Sequence, residues 1–189
     1  MLYTRKGDKG TTKTLRCDQR ISKSAGVAEA LGCLDECNSW LGLCRARSLE
    51  AEFLLQLLGS RGVRDAAQAL FSMQEALFIA QAELAGADKR LAKRHVLALE
   101  RLTDAVEREL PPIKSFFIPG ATALGALFDV ARTVARRAER RVVSVKESGD
   151  AALSAYTLQY LNRLSSALYA LARLANFRAG VSERPPSYR

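Results

Sequence analysis

Apolar residues recur along most of this chain at the three-to-four-residue spacing of amphipathic helices, and nowhere with the sustained alternation of a half-buried strand. Between residues 23 and 47, Val27, Leu31, Leu34, Leu41 and Cys44 form one stripe, with Trp40 beside it. A second helix-rich segment spans 49–85. Within it Gly59 and Gly62 predict a break or an irregular start before Asp65, and Gly86 ends it. Leu91, His95, Leu99, Leu102 and Val106 share a face of a third helix over 88–110, which Pro111-Pro112 stops. A fourth helix is predicted over 124–147, closed by Ser148-Gly149-Asp150. A fifth covers 151–179, where Leu158, Leu161, Leu164, Leu168, Leu171 and Leu174 recur. The pattern predicts an all-α protein, a bundle of five helices packed at shallow angles over 23–179. Residues 1–22 hold no period of either kind and read as an extended loop, and the polar tail 180–189 reads as disordered.

A chain of 189 residues suffices for one well-buried domain, and its length demands no second. The formal net charge of +9, with a pI near 9.7, favours acidic ligands: nucleotides, nucleic acid or an anionic membrane. Aromatics make up only 7% of residues, too few for the stacking platforms of single-strand binders, so nucleic acid is not the expected partner. No apolar run reaches the roughly 18 residues needed to cross a bilayer, and no leader pattern follows Met1, so a cytoplasmic protein without membrane contact is expected. Cys33, Cys37 and Cys44 fall at helical spacing and read as small core residues, as does Cys17, rather than as metal ligands. His95, the one histidine, is far from them in sequence and reads as a partly buried helix residue.

Two segments carry candidate chemistry. Residues 132–141 hold five arginines and one acid, Glu139. Arg132, Arg136 and Arg140 fall on one helical stripe, Arg137 and Arg141 on the next, and like charges at i,i+4 repel. A polyphosphate, a partner's carboxylates or nucleic acid would relieve that repulsion, and a solvated face with local ion pairs is the simpler alternative. The second segment is Tyr3-Thr4-Arg5-Lys6-Gly7-Asp8-Lys9-Gly10-Thr11-Thr12-Lys13. Its glycines let backbone N–H groups converge on an anion, while lysines and threonines add charge and hydroxyls. It lacks the Walker A spacing, and a mobile basic arm is the alternative reading.

With these two segments in place, the chain resembles the ATP:cob(I)alamin adenosyltransferases of the PduO type from Tyr3 to about Ala175. The resemblance rests on Tyr3-Thr4, Gly7-Asp8-Lys9-Gly10, Lys23, Glu29-Ala30, Gly32, Asp35-Glu36, Pro111-Pro112, Phe116 and Pro119-Gly120. It continues through residues 131–143 and Tyr160-Leu161-Asn162-Arg163-Leu164-Ser165. It implies a homotrimer of five-helix bundles with sites between neighbouring subunits, and residues 1–22 as the ATP loop. The nucleotide would be held by Thr4, Arg5, Lys6, Gly7, Asp8, Lys9, Gly10, Thr12 and Lys13, by Lys23 and Glu29, by Arg136, Arg137, Ala138, Glu139 and Arg140, and by Asn162. Asp35 and Arg132 resemble the pair that joins adjacent subunits, and Phe116 stands where an aromatic lies against the lower corrin face. ATP, Mg²⁺ carried mainly by its phosphates, and cobalamin are the implied ligands. A flavin-dependent reductase and an adenosylcobalamin-using enzyme are the implied partners.

The chain departs from that pattern at several places: Lys6 for a usual threonine, Arg16-Cys17 for a glycine pair, and Ala121-Thr122 for glycines. Asp129 replaces a frequent histidine and Ser166 an aspartate. The Ser166 departure keeps open a catalytically weak relative that delivers or senses adenosylcobalamin. The charge alone keeps open a basic helical nucleic-acid binder.

Overall fold

The computed structural model describes residues 3–14, 20–56 and 63–188. Five helices carry the fold: α1 (Gly26–Glu50), α2 (Ala66–Leu84), α3 (Lys93–Glu109), α4 (Ala123–Glu147) and α5 (Ala155–Arg178). α4 packs against both α1 and α5, α2 covers the far side of α1, and α3 the far side of α5. The leucines of the predicted stripes meet along these contacts. Leu34, Leu41, Leu161, Leu164, Leu168, Leu171 and Leu174 are all essentially inaccessible, with Leu70, Leu77, Phe128 and Tyr160 among them. Ala131, Ala135 and Ala138 on α4 are equally buried, and their small side chains let three helices converge on one seam.

Three helix starts fall where a side chain can take an orphan N–H. Asp65 accepts from Ala67 N at 2.8 Å, Thr122 from Gly125 N at 3.0 Å and Ser154 from Thr157 N at 3.2 Å. α3 begins at Lys93 instead of residue 88 because the His95 ring nitrogen Nδ1 accepts from Ala92 N at 2.9 Å. The partly buried histidine is therefore a helix cap.

Two antiparallel ladders modify the purely helical expectation. β1 (Thr11–Lys13) pairs with β2 (Arg20–Ser22) inside the segment read as a loop, and Thr12 faces Ile21. β3 (Leu54–Gln56) pairs with β4 (Val63–Asp65) where a break in helix was expected. Gly59 and Gly62, like Arg16 and Cys17, lie outside the described residues.

The cross-helix pairings fix direction. Glu29 with Arg141 and Glu36 with Arg137 run α1 against α4, and Glu139 with Asn162 and Asp129 with Arg173 run α5 against α4. The start of α1, with the β1–β2 ladder before it, thus lies beside the end of α4. The end of α2 joins the start of α5 through Glu83, which accepts from Ser154 N at 2.7 Å and from the Thr157 hydroxyl. The other end of the bundle gathers the start of α4 with the ends of α5 and α3, where Arg178 donates to Glu109 at 2.6 Å.

The C-terminal segment also differs from expectation. Although it has no regular structure, it is tied down: Val181 N donates to Asn176 O at 3.1 Å and Ile118 N to Arg184 O at 2.9 Å. Glu183 takes the side chains of Arg173 and Asn176.

Candidate functional site

The N-terminal loop closes on itself before reaching α1. Gly10, with φ +73°, donates its N–H to Gly7 O at 3.1 Å, and Lys23 N donates to Gly10 O at 2.9 Å. That left-handed turn is where a glycine is required. A Cβ on Gly7 would stand 3.1 Å from Lys23 Nζ, so the bare glycine leaves room for the ammonium. Arg20 staples the loop to the ladder, donating to Thr11 Oγ1 at 2.8 Å, to Thr11 O at 2.7 Å and to Lys6 O. Lys6, Lys9, Lys13 and Lys23 remain exposed around this turn, and Thr4, Asp8 and Thr12 lie in the same segment. Arg5 adopts φ +57°, a strained state for a side-chain-bearing residue, with its guanidinium over the Tyr3 ring. Arg20 was missed at the level of sequence: it sits in an unpatterned stretch, and only the ladder gives it neighbours.

On α4 the arginines divide into two sets. Arg137 pairs with Glu36 and Arg141 with Glu29, at 3.6 Å for the latter, so the local ion-pair alternative describes these two. The hydrogen bond and charge of Glu36 raise the Arg137 pKa further. Glu29 and Arg137, expected at the nucleotide, are thus each matched within the chain. Ala138 is fully buried in the helix seam, so its side chain is core rather than ligand contact. Glu139 accepts from Asn162 Nδ2 at 3.1 Å, and Asn162 in turn accepts from Arg163 at 2.8 Å. Arg136 and Arg140 are exposed, and neither meets a side-chain partner among the described residues. Asp35 is exposed on α1 and forms no ion pair with Arg132 within the chain. Arg132 Nε donates instead to Asp129 Oδ1 at 3.2 Å.

At the opposite end of the bundle lies a cavity of about 1250 Å³. It is lined by apolar residues of the preceding loop, among them Pro111, Ile113, Phe116, Phe117 and Pro119, and by Asp129, Arg132, Arg136, Ser165, Ser166 and Tyr169 of the helices, together with Pro185, Pro186 and Tyr188 of the tail. Phe116 is 77% exposed, so it does not plug the bundle end. Arg173, which reads from sequence as an ordinary helix-face residue, is buried beside this cavity and bound to two carboxylates.

The arginine strip runs between the two ends. Between Asp129 and Val145 α4 rises by about 24 Å, so the N-terminal loop and the Phe116 wall of one chain are well separated.

Cys33, Cys37 and Cys44 are buried free thiols. Burial pushes Cys37 and Cys44 each up to about 12, which removes them from nucleophilic or ligand roles near neutrality. Among the described residues no group of three His, Cys, Asp or Glu side chains gathers as a metal site. Among the described residues no helix is long and apolar enough to cross a membrane.

The family model for cobalamin adenosyltransferase matches residues 2–175. A corrinoid adenosyltransferase of Bacillus subtilis (strain 168) is 37% identical over 186 residues, covering 96% of this chain and 90% of that protein. One from Mycobacterium leprae is 35% identical over 195 residues, covering 97% and 95%. Among solved structures, a variant PduO-type ATP:corrinoid adenosyltransferase from Lactobacillus reuteri, complexed with cobalamin and ATP, is similar with a TM-score of 0.84. It is 28% identical, and the match covers 99% of this chain and 97% of that one.

Proposed function

The chain belongs to the cobalamin adenosyltransferase family, and from that premise we propose that it transfers the 5′-deoxyadenosyl group of ATP to cob(I)alamin or a related reduced corrinoid. One observation carries the reading: Arg136, which has no ion-pair partner among the described residues, lines a large cavity together with the exposed Phe116 loop. An anion and a broad apolar ring system would be accommodated side by side there.

The chemistry asks little of the protein's own nucleophiles. The Co(I) lone pair attacks C5′ of ATP, the C5′–O bond breaks, and inorganic triphosphate leaves with the bonding electrons. The protein's task is alignment and stabilisation of the departing charge. Arg136 and Arg140, with Lys23 and the Thr4–Lys13 loop, would supply it, and Asn162 would orient the nucleotide. Mg²⁺ would be carried mainly by the phosphate oxygens of ATP, since the groups named here are chiefly cationic. Phe116 would lie against the lower corrin face and exclude an axial ligand.

The separation of loop and cavity within one chain supports a site shared between neighbouring subunits of a homotrimer, with Asp35 of one facing Arg132 of the next. ATP as co-substrate argues for the cytoplasm, with a flavin-dependent reductase supplying Co(I) and an adenosylcobalamin-using enzyme taking the product. The pairing of Arg132, Arg137 and Arg141 with carboxylates breaks up any continuous track for a nucleic-acid backbone.

The test is an anaerobic assay with ATP and chemically reduced cob(I)alamin. A light-sensitive alkylcobalamin formed in step with inorganic triphosphate is expected. Binding of both substrates without product would instead favour a delivery or sensing role, as the Ser166 departure allows.

A further inference from the structure

Arg173 is 3% exposed, and two carboxylates from distant parts of the chain share its charge. It donates to Asp129 Oδ2 at 2.5 Å and to Glu183 Oε1. Its guanidinium lies 4.9 Å from the Tyr169 ring centroid and 5.6 Å from that of Phe117, and its Nε has no acceptor. Asp129 has a second engagement, because its Oδ1 accepts from Arg132 Nε at 3.2 Å. Glu183 is also held by Asn176 Nδ2 at 2.6 Å, and Asn176 Oδ1 by the Thr122 hydroxyl at 2.6 Å. Charges therefore alternate without a gap from the C-terminal segment to the cavity rim: Glu183, Arg173, Asp129, Arg132.

We propose that Asp129 and Arg173 are positioning residues for Arg132, and that docking of the C-terminal segment through Glu183 sets their arrangement. The physical basis is competition for one carboxylate. With Glu183 in place, Arg173 divides its charge between two acids and Asp129 keeps an oxygen for Arg132. Without it, Arg173 has Asp129 alone, and in a buried setting where an uncompensated charge is costly it draws that carboxylate inward. Arg132 then loses its anchor at the rim. The tail and the rim arginine are thereby coupled through a buried pair, although they do not touch.

The proposal rests on the cavity's being the corrinoid site, and its test separates the two. Two variants, Glu183→Gln and Asp129→Asn, and their combination would be compared for corrinoid kcat/KM, Mg-ATP Kd, thermal midpoint and the ¹⁵N resonance of Arg132 Nε–H, assigned through Arg132→Lys. E183Q is expected to lower corrinoid kcat/KM by about tenfold while ATP Kd stays within about twofold. The double variant should lose no more than D129N alone, since coupled groups are not additive. The Arg132 Nε–H resonance should move on E183Q in the native background and stay still when Asp129 is already Asn. This readout needs no turnover, so a wild-type protein that makes no adenosylcobalamin would sink the proposed function and leave the coupling measurable. Losses that multiply in the double variant, ATP affinity falling in parallel, or an Arg132 resonance indifferent to Glu183 would each overturn the proposal. Should E183Q fold poorly, Glu183→Asp keeps the charge on a shorter arm and should give the same resonance shift at smaller size.

Discussion

Arg136 differs from Arg132, Arg137 and Arg141 in forming no ion pair among the described residues. Arg136→Ala should lower adenosylation by at least about two orders of magnitude, because it removes a charge-assisted partner from the leaving triphosphate. The matched control is Arg101, exposed on α3, whose loss should change the rate by less than about twofold. Arg173 would be a poor control, since its burial makes folding damage certain. Nothing in the sequence marked that burial: its partners lie far along the chain, at 129 and at 183, and helical periodicity reports only neighbours. Phe116 stands at the other extreme. Because it is 77% exposed, Phe116→Ala should leave the thermal midpoint and ATP Kd near native while losing most of the rate from cob(II)alamin plus reductant. Preformed cob(I)alamin should recover much of it. Equal loss with both oxidation states would show that the ring serves structure or binding rather than the cobalt's axial position. The buried thiols give a stability prediction. Cys37 and Cys44 ionise near 9 when unfolded and near 12 when folded, so below pH 9 both states keep their protons. As pH rises from 9 towards 12 only the unfolded chain releases them, and stability should fall by about 1.4 kcal/mol per pH unit for each thiol. Denaturant titrations at pH 8, 9.5 and 10.5 would show it, and Cys37→Ala with Cys44→Ala should flatten the slope.

Among the elements, all five helices were legible, the first, third and fifth because each repeats an apolar stripe over several turns. The two ladders were not, since three-residue strands are too short to display an alternation. Their positions depend on ties that only the folded chain makes, such as Arg20 reaching Thr11 and the Lys6 carbonyl. The candidate site divides along the same line. Its charged residues could be listed from the sequence, but which arginines on α4 are already neutralised depended on the facing residues of α1. Helix approach also sets a constraint at Gly125. A Cβ there would lie 2.1 Å from Asn176 Oδ1 and 2.9 Å from Thr122 Oγ1. Asn176 is buried and held from both sides, so it has little room to give way. Gly125→Ala should therefore destabilise the bundle by about 1–3 kcal/mol despite the higher helix propensity of alanine. A chemical denaturation series that found it neutral or stabilising would refute this packing argument.

At the scale of the molecule, the N-terminal loop and the cavity lined by Phe116 lie at opposite ends of one bundle, and Asp35 is exposed without an ion pair to Arg132 in the same chain. If that pair bridges subunits, Asp35→Asn and Arg132→Ala should each depress activity, and mixing the two inactive proteins should restore a fraction of it, with a trimeric mass in solution. Mixtures that stay inactive, or a monomer at micromolar concentration, would remove the shared site. α4 is the part that relates the two ends. Each residue of that helix adds about 1.5 Å and 100°, so inserting or deleting a single residue between Arg132 and Arg141 would swing one end of the strip away from its carboxylates while the other stayed in place. The pairings at the two ends of that interval therefore fix the number of residues between them, whatever the length of the loops that enter and leave the helix.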